Sequence, residues 1–278
     1  MKLDMHCHVK EGSVDSQISL DEYITKLKEH GFDGMLITDH DTYNGYRHWK
    51  KKMKDKVHED FVVLKGIEYD TSDGGHIICI MPEGVKMRLL ELRGLPVSVL
   101  IDVVHRHGGI LGPAHPCGEK YQSFTNAPKF YKSPELMKRF DFVEAFNACE
   151  SEESNAGAAK LAYKYKKPGI GGSDAHKMEC VSQGYTILPE HVTCETELIS
   201  LIRRKPAIEC GGTLYGKTVR ERMGKAGKLL TYSFWVYNKG GEILKRRKRR
   251  EKGDLENPID PIDPIEIPYL KGMRKVIR

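Results

Sequence analysis

The chain opens MKLDMHCHVK, which places His6 and His8 one residue apart at the end of an apolar stretch. In an extended strand, residues i and i+2 point to the same side, so both imidazoles face one point. Similar groups recur at the ends of later apolar runs. Asp15 follows HCH in a loop, TDHD supplies Asp39, His40 and Asp41, and GIEYD supplies Glu68. His76 opens the next run, PAHP supplies His115, and GGSDAH supplies Asp174 and His176, a second i,i+2 pair. Imidazole nitrogens and carboxylate oxygens ligate divalent ions; zinc takes about four ligands and harder ions about six, water included. The set His6, His8, Asp15, His40, Glu68, His76, His115, Asp174 and His176 exceeds what one ion uses. It suits two or three ions, with a carboxylate shared between a pair. Water on such an ion ionises with a pKa of about 7 instead of about 15.7, so the chemistry on offer is hydrolysis by a metal-bound hydroxide.

Taken singly, several of these residues have plainer roles. Asp39 and Asp41 are placed to cap the following helix, and His76 could be a surface histidine at a strand start. The remaining histidines, His30, His48, His58, His105, His107 and His191, fall on expected helices or loops and are left out of the set. His105 and His107 are two apart on a helix and do not share a face. Cys7, between two strand ligands, points away from them.

The elements that position these groups follow from the pattern. LDMHC, GMLIT, FVVLKGIEY, HIICIM, GILGPAH, FDFVEAF, PGIGGSD and GYTIL read as strands, with a hairpin across TSDGG. Residues 19–30 read as a helix with Ser19 as N-cap, Glu22 completing a capping box and Gly31 ending it. Residues 43–56, 97–107, 153–166 and 194–204 are the other expected helices. Strands alternating with helices indicate a parallel α/β fold. Polar clusters at successive strand ends match a barrel of βα units, whose chemistry gathers at one rim.

Composition narrows the class. With 30% charged and 39% hydrophobic residues the chain reads as a globular protein. It has no apolar run of the length that crosses a membrane, and no apolar segment follows Lys2 before Asp4, so neither membrane association nor a signal peptide is expected. Seven scattered cysteines without a CxxC fit reduced thiols, and a cytoplasmic location is expected. The net charge of +6 resides in one run, KRRKRR, at 245–250. Removing its six charges from the 45 basic residues leaves 39, equal to the 39 acidic ones, so the body is not a general polyanion binder. Three parts are expected: a catalytic barrel over 1–210, a helical and strand extension packed on it over 211–240, and a basic then Pro/acid-rich tail over 241–278.

In order, HxH, TDHD, GIE, a histidine about eight residues on, AHP and GSDAH resemble the PHP (polymerase and histidinol phosphatase) family, and within it the TrpH-like metal-dependent phosphoesterases. The resemblance covers about residues 1 to 210. It implies a distorted (β/α)7 TIM-like barrel of the PHP type with a trinuclear metal centre; the mixed imidazole and carboxylate donors accept zinc, manganese or iron, and two or three such ions are expected. It further implies that His6, His8, Glu68 and Asp174 hold one ion, that Glu68 bridges to a second held by His76 and His115, and that Asp15, His40 and His176 hold a third. Two departures stand out: the loop VKEGSVD after His8 is longer than usual, and the family's AHPGR is AHPCG here. Lys120 is the expected replacement for the missing arginine toward substrate, and residues 119–133 form the loop placed to line the mouth.

The expected activity is hydrolysis of phosphate esters, either a small phosphomonoester or a nucleotide. Asp174, His176 and Glu68 are the expected catalytic groups, and Asp174 or His176 orients the nucleophile or moves protons. The alternative is a 5′-3′ exonuclease or other nuclease, toward which residues 245–250 would draw nucleic acid. Less favoured are a histidinol-phosphatase, a non-catalytic metal-binding module and an amidohydrolase. TDHD has no place in the amidohydrolase pattern, and Glu68 stands where that class often carries a modified lysine.

Overall fold

The computed structural model describes residues 1–118 and 122–215. Nine strands are defined in this part: β1 (Lys2–Cys7), β2 (Gly34–Ile37), β3 (Val62–Asp70), β4 (His76–Ile80), β5 (Ile110–Pro113), β6 (Val143–Asn147), β7 (Gly169–Gly172), β8 (Gly184–Ile187) and β9 (Glu209–Gly212). Six α-helices accompany them: α1 (Leu20–Glu29), α2 (Asn44–His48), α3 (Val97–Arg106), α4 (Pro128–Lys132), α5 (Glu152–Tyr165) and α6 (Glu195–Arg203). The strands and helices expected over 1–210 are present, the segment 119–133 expected as a loop carries α4, and β9 lies across the expected boundary at 210; residues 216–240 of the expected extension lie outside the described residues. The expected basic helix over 43–56 is a short α2 continued by a π-helical turn at Trp49–Met53.

The sheet curls on itself. Seven strands run in the order β5-β4-β3-β2-β1-β8-β9, and β6 and β7 form a separate parallel pair. That pair spans the gap between β5 and β1. Asp141 N–H donates to Leu111 O at 2.9 Å on one side, and Asp174 N–H donates to His6 O at 2.8 Å on the other. Strands β1 to β7 therefore go round in chain order, with β8 and β9 as a branch off β1. The distortion comes from β4, which runs antiparallel to both neighbours through the β3–β4 hairpin. Gly172 permits the closure, because a Cβ there would meet His6 N and Cβ at 2.4 Å.

Two apolar layers hold the sheet. On one face Leu36, Leu64, Ile78 and Ile80 pack with Leu198, Ile199, Leu201 and Ile202 of α6. On the other, Met35, Ile37 and Val63 pack with Leu20, Tyr23, Ile24 and Leu27 of α1. The capping box that starts α1 is formed, with Ser19 accepting from Glu22 N–H and the Glu22 carboxylate accepting from Ser19 N–H. Strand β1 changes face partway. Leu3 and Met5 belong to the first layer but Cys7 and Val9 to the second, and the β1–β2 register shifts between Asp4 and Cys7. Bulges of this kind re-aim side chains beside functional sites. This one puts His6 and His8 on the interior side above Leu3 and Met5, while Cys7 turns into the α1 layer, as the sequence indicated. Strand β3 keeps strict alternation, so its interior face reads Leu64, Gly66, Glu68, Asp70 from floor to rim.

Candidate metal centre

At the rim the strand ends meet. His6 Nε2 and His8 Nε2 are 3.1 Å apart. Both approach Glu68 Oε2, at 3.4 and 3.3 Å, and Asp174 Oδ1, at 3.6 and 3.2 Å. His40 Nδ1 lies 2.9 Å from the same Glu68 oxygen. The other oxygen, Glu68 Oε1, is 2.8 Å from His76 Nδ1 and 3.0 Å from His115 Nε2. Asp15 Oδ2 is 3.4 Å from both His40 Nε2 and His176 Nε2. All nine residues singled out in the sequence thus share one cluster. Lys120, the tail and the basic run at 245–250 lie outside the described residues.

Three donor groupings are tight enough to hold an ion: His6, His8 and Glu68; His40, Glu68 and His76; and His8, His40 and His176. These differ from the sets that the resemblance implied: Asp174, His115 and Asp15 are in none of the three, His40 joins Glu68 and His76, and His8 joins His40 and His176. The donors fit divalent cations on their own geometry. His6 Nδ1 donates to Glu144 Oε1 at 2.8 Å, and His8 Nδ1 donates to Ser13 Oγ at 3.1 Å, because the Ser13 hydroxyl is itself given to Asp39 Oδ1 at 3.0 Å. Both rings therefore turn Nε2 toward each other, and the two nitrogens repel unless a proton or a metal cation lies between them. His176 is set the same way, its Nδ1 donating to Asp174 O at 3.0 Å. Among the described residues, Glu68 Oε2 and Asp15 Oδ1 are buried with no well-aligned hydrogen-bond donor. Mixed imidazole and carboxylate donors suit zinc, manganese and iron alike.

Electrostatics follow the same geometry. Burial alone would raise Glu68, yet His76, His40 and His6 hold its carboxyl well below the usual range. Asp15 and Asp174 are likewise lowered against burial, Asp15 by His176 and His40 and Asp174 by His6 and His8. His8 is lowered, first by burial and then by His176 and His40. The inner pair His6 and His8 is sealed from solvent, whereas the side chains of His40, Asp15 and His176 are 19, 20 and 30% exposed. The cluster thus opens on the Asp15–His40–His176 side. His115, Asp174 and Asp41 all adopt left-handed backbone at φ 30°, 53° and 50°, the kind of strain that gathers at functional sites.

Behind the cluster lies a supporting layer with no signature in the motifs. Besides His6, Glu144 accepts from His115 N–H at 2.5 Å and from Asn147 Nδ2 at 3.2 Å. Asn147 Nδ2 is also 3.2 Å from Asp174 Oδ2. The available signal is a glutamate inside the otherwise apolar run FVEAF, since a lone buried carboxylate needs partners. Asp39, an expected cap, does accept from Gly45 N–H in α2 at 3.2 Å, but it also takes Val9 N–H and the Ser13 hydroxyl. Burial pushes it to about 7. Gly12 makes room for it, since a Cβ there would meet Asp39 Oδ2 at 1.8 Å. Asp4 ties β1 to the end of β7 by accepting from Ser173 N–H at 2.9 Å and from the Ser173 hydroxyl at 2.6 Å. The histidines left out of the set stay apart, with His105 on Asp141 and His58 on Asp21.

Comparison with known proteins places this architecture. The family model for the PHP domain matches residues 4–166, and the PHP-associated model matches residues 152–205. The chain belongs to the PHP family. Its α/β fold is the distorted barrel of PHP proteins. PsfC from Pseudomonas syringae is similar in fold at 15% identity and a TM-score of 0.53, over 86% of this chain and 98% of that one. A candidate metal-dependent phosphoesterase from Bifidobacterium adolescentis gives 14% identity and a TM-score of 0.52, over 73% and 96%. Endonuclease Q, in complex with a 27-mer duplex bearing an abasic lesion, gives 17% and 0.52, over 81% of this chain and 61% of that one. No curated protein matches the chain by sequence. Among the described residues no helix is long and apolar enough to cross a membrane.

Proposed function

We propose that this PHP protein is a metal-dependent phosphoesterase that hydrolyses small phosphomonoesters, nucleotides included. The observation that supports this best is Glu68: five imidazoles, those of His6, His8, His40, His76 and His115, converge on its two oxygens within 3.4 Å. A buried carboxylate with that many nitrogen neighbours suits a bridge between cations. His6, His8, Glu68 and Asp174 would hold one ion, Glu68, His76 and His115 a second, and Asp15, His40 and His176 a third. Bound there, divalent ions supply an activated water and neutralise phosphate oxygens. The chain's own groups do the rest. Asn147 holds Asp174 in place, and His176, the most exposed of the imidazoles in these ion pairs with the cluster carboxylates at 30%, is positioned to move a proton at the open side.

A nuclease is the second reading, favoured by KRRKRR at 245–250. The neutral charge of the remaining chain favours the small substrate. Hydrolysis of an aryl phosphate by the chelator-stripped protein, with and without added manganese, zinc or iron, tests the proposal. Turnover that returns with metal supports it; no turnover with any of the three overturns it.

A further inference from the structure

We propose that Arg93 is the anion anchor of this site, holding a non-bridging oxygen of a terminal phosphate beside His76. The inference rests on the phosphoesterase reading and adds a substrate-binding residue to it.

The position of Arg93 follows from strand geometry. Asp70 is two residues beyond Glu68 on β3, so it lies on the same interior face. Its cross-strand partner in the antiparallel ladder is His76, and residues directly opposite share a face. Asp70 Oδ1 accordingly lies 4.0 Å from His76 Nε2. The Arg93 guanidinium pairs with the other oxygen of that carboxylate, and its Nε is 3.7 Å from Asp41 Oδ2, next in sequence to His40. The Asp70 carboxylate thus stands between the guanidinium and His76, at the end of the strand that carries Glu68. Arg93 is 20% exposed, so solvent reaches the guanidinium as it does not reach His6 and His8.

Its loop is fixed in place. The Tyr69 hydroxyl donates to Leu92 O at 2.5 Å and accepts from Leu95 N–H at 2.9 Å, gripping the chain on either side of Arg93. Gly94 N–H donates to Asp70 O at 2.9 Å, and Ser72 N–H donates to Leu95 O at 3.1 Å. A positively charged group held rigidly at the edge of a catalytic cluster costs little reorganisation when an anion arrives. The guanidinium fork matches phosphate geometry better than an ammonium does. Arg93 also supplies what AHPCG lacks, an arginine at the rim. A phosphomonoester has three non-bridging oxygens and a diester two. The monoester also carries more negative charge than the diester, so Arg93 would hold a terminal phosphate the more tightly of the two.

The test uses the full chain, reconstituted with manganese, as wild type, Arg93→Ala and Arg93→Lys. Inorganic phosphate binding is read by calorimetry. KM and kcat are read on an aryl phosphomonoester and on the matching aryl diester. For Arg93→Ala, phosphate affinity is expected to fall about tenfold or more and KM on the monoester to rise in step, consistent with loss of a charge-assisted hydrogen bond. The diester should change less, Arg93→Lys should be intermediate, and metal content should be unchanged. Equal phosphate affinity in all three proteins overturns the proposal. So does a loss in Arg93→Ala that tracks a loss of bound metal, which would make Arg93 only a brace for Asp41 and Asp70. Should Arg93→Ala fail to fold, Arg93→Lys decides the matter by the same readings. If the wild type binds phosphate through Arg93 but turns over no ester, the phosphoesterase reading falls and the anchor stands. Normal turnover with an indifferent Arg93 has the opposite meaning, and a wild type that neither binds phosphate nor turns over sinks both.

Discussion

Glu144 Oε1 stands 2.8 Å from His6 Nδ1, and neither side chain reaches solvent. The contact fixes which nitrogen of His6 carries its proton and so leaves Nε2 for the cluster. A carboxylate behind a ligating histidine also raises its basicity, and removing such partners typically costs about 10–100-fold in metal affinity. Glu144→Gln, which keeps an acceptor but loses the charge, is expected to weaken metal binding at the low end of that range. Glu144→Ala, which also leaves His115 N–H without its acceptor, is expected at the high end. Competition with a coloured chelator measures both, and wild-type affinity in the alanine variant would refute the role.

Glu68→Gln tests the bridge. The amide keeps the shape but presents one oxygen and one nitrogen where two anionic oxygens faced five imidazoles. Activity is expected to fall by about 10² or more, as when other preorganised electrostatic groups are removed, with the circular dichroism spectrum unchanged. Near-normal turnover would rule out a bridging carboxylate.

Most of the nine cluster residues were legible because they sit at the ends of apolar runs, and i,i+2 spacing gave His6–His8 and Asp174–His176 a common face; Asp15, in a loop, and His76, at the opening of a run, took their places from the ordered motifs. The strands and the helix caps were legible for the same local reason. The layer behind the cluster was not. Glu144 meets His6 across 138 residues of sequence, and Arg93 meets Asp70 only because a loop returns to the rim. Neither contact has a spacing that a sequence shows. The bulge in β1 was also hidden, since LDMHCH reads the same with or without a register shift.

The metal-free protein should prefer mildly acidic pH. Burial would lower His6 and His40, but Glu144, Asp174 and Glu68 around the first and Glu68 and Asp15 around the second raise both well above 6.5. A raised folded pKa contributes stability that is complete below the unfolded value and is lost as pH climbs through the folded one. Asp39, raised by burial to about 7, acts in the same direction. Asp15, Glu68 and Asp174 are lowered, so their contribution is present above their unfolded values of 3.8 to 4.5 and is lost in acid. The Tm of the metal-free protein is therefore expected to fall from pH 6.5 toward pH 9, and added divalent ions, which take the place of the protons, should remove that fall. A Tm that rises over this interval without metal contradicts the assignment.

Removal of residues 241–278 separates the two substrate readings. A tail that docks polyanions would make nucleic-acid cleavage both tail-dependent and steeply salt-dependent. The small-substrate reading predicts that truncation changes aryl phosphate and nucleic-acid hydrolysis alike. Selective loss of nucleic-acid cleavage, reproduced in the intact protein by raised salt, would favour the nuclease.

The central claim is that nine side chains from separate strand ends build one multinuclear centre. Elemental analysis of the purified chain after reconstitution and removal of loosely held ions tests it most directly. Two or three divalent ions per chain are predicted, and one ion or fewer would contradict the account.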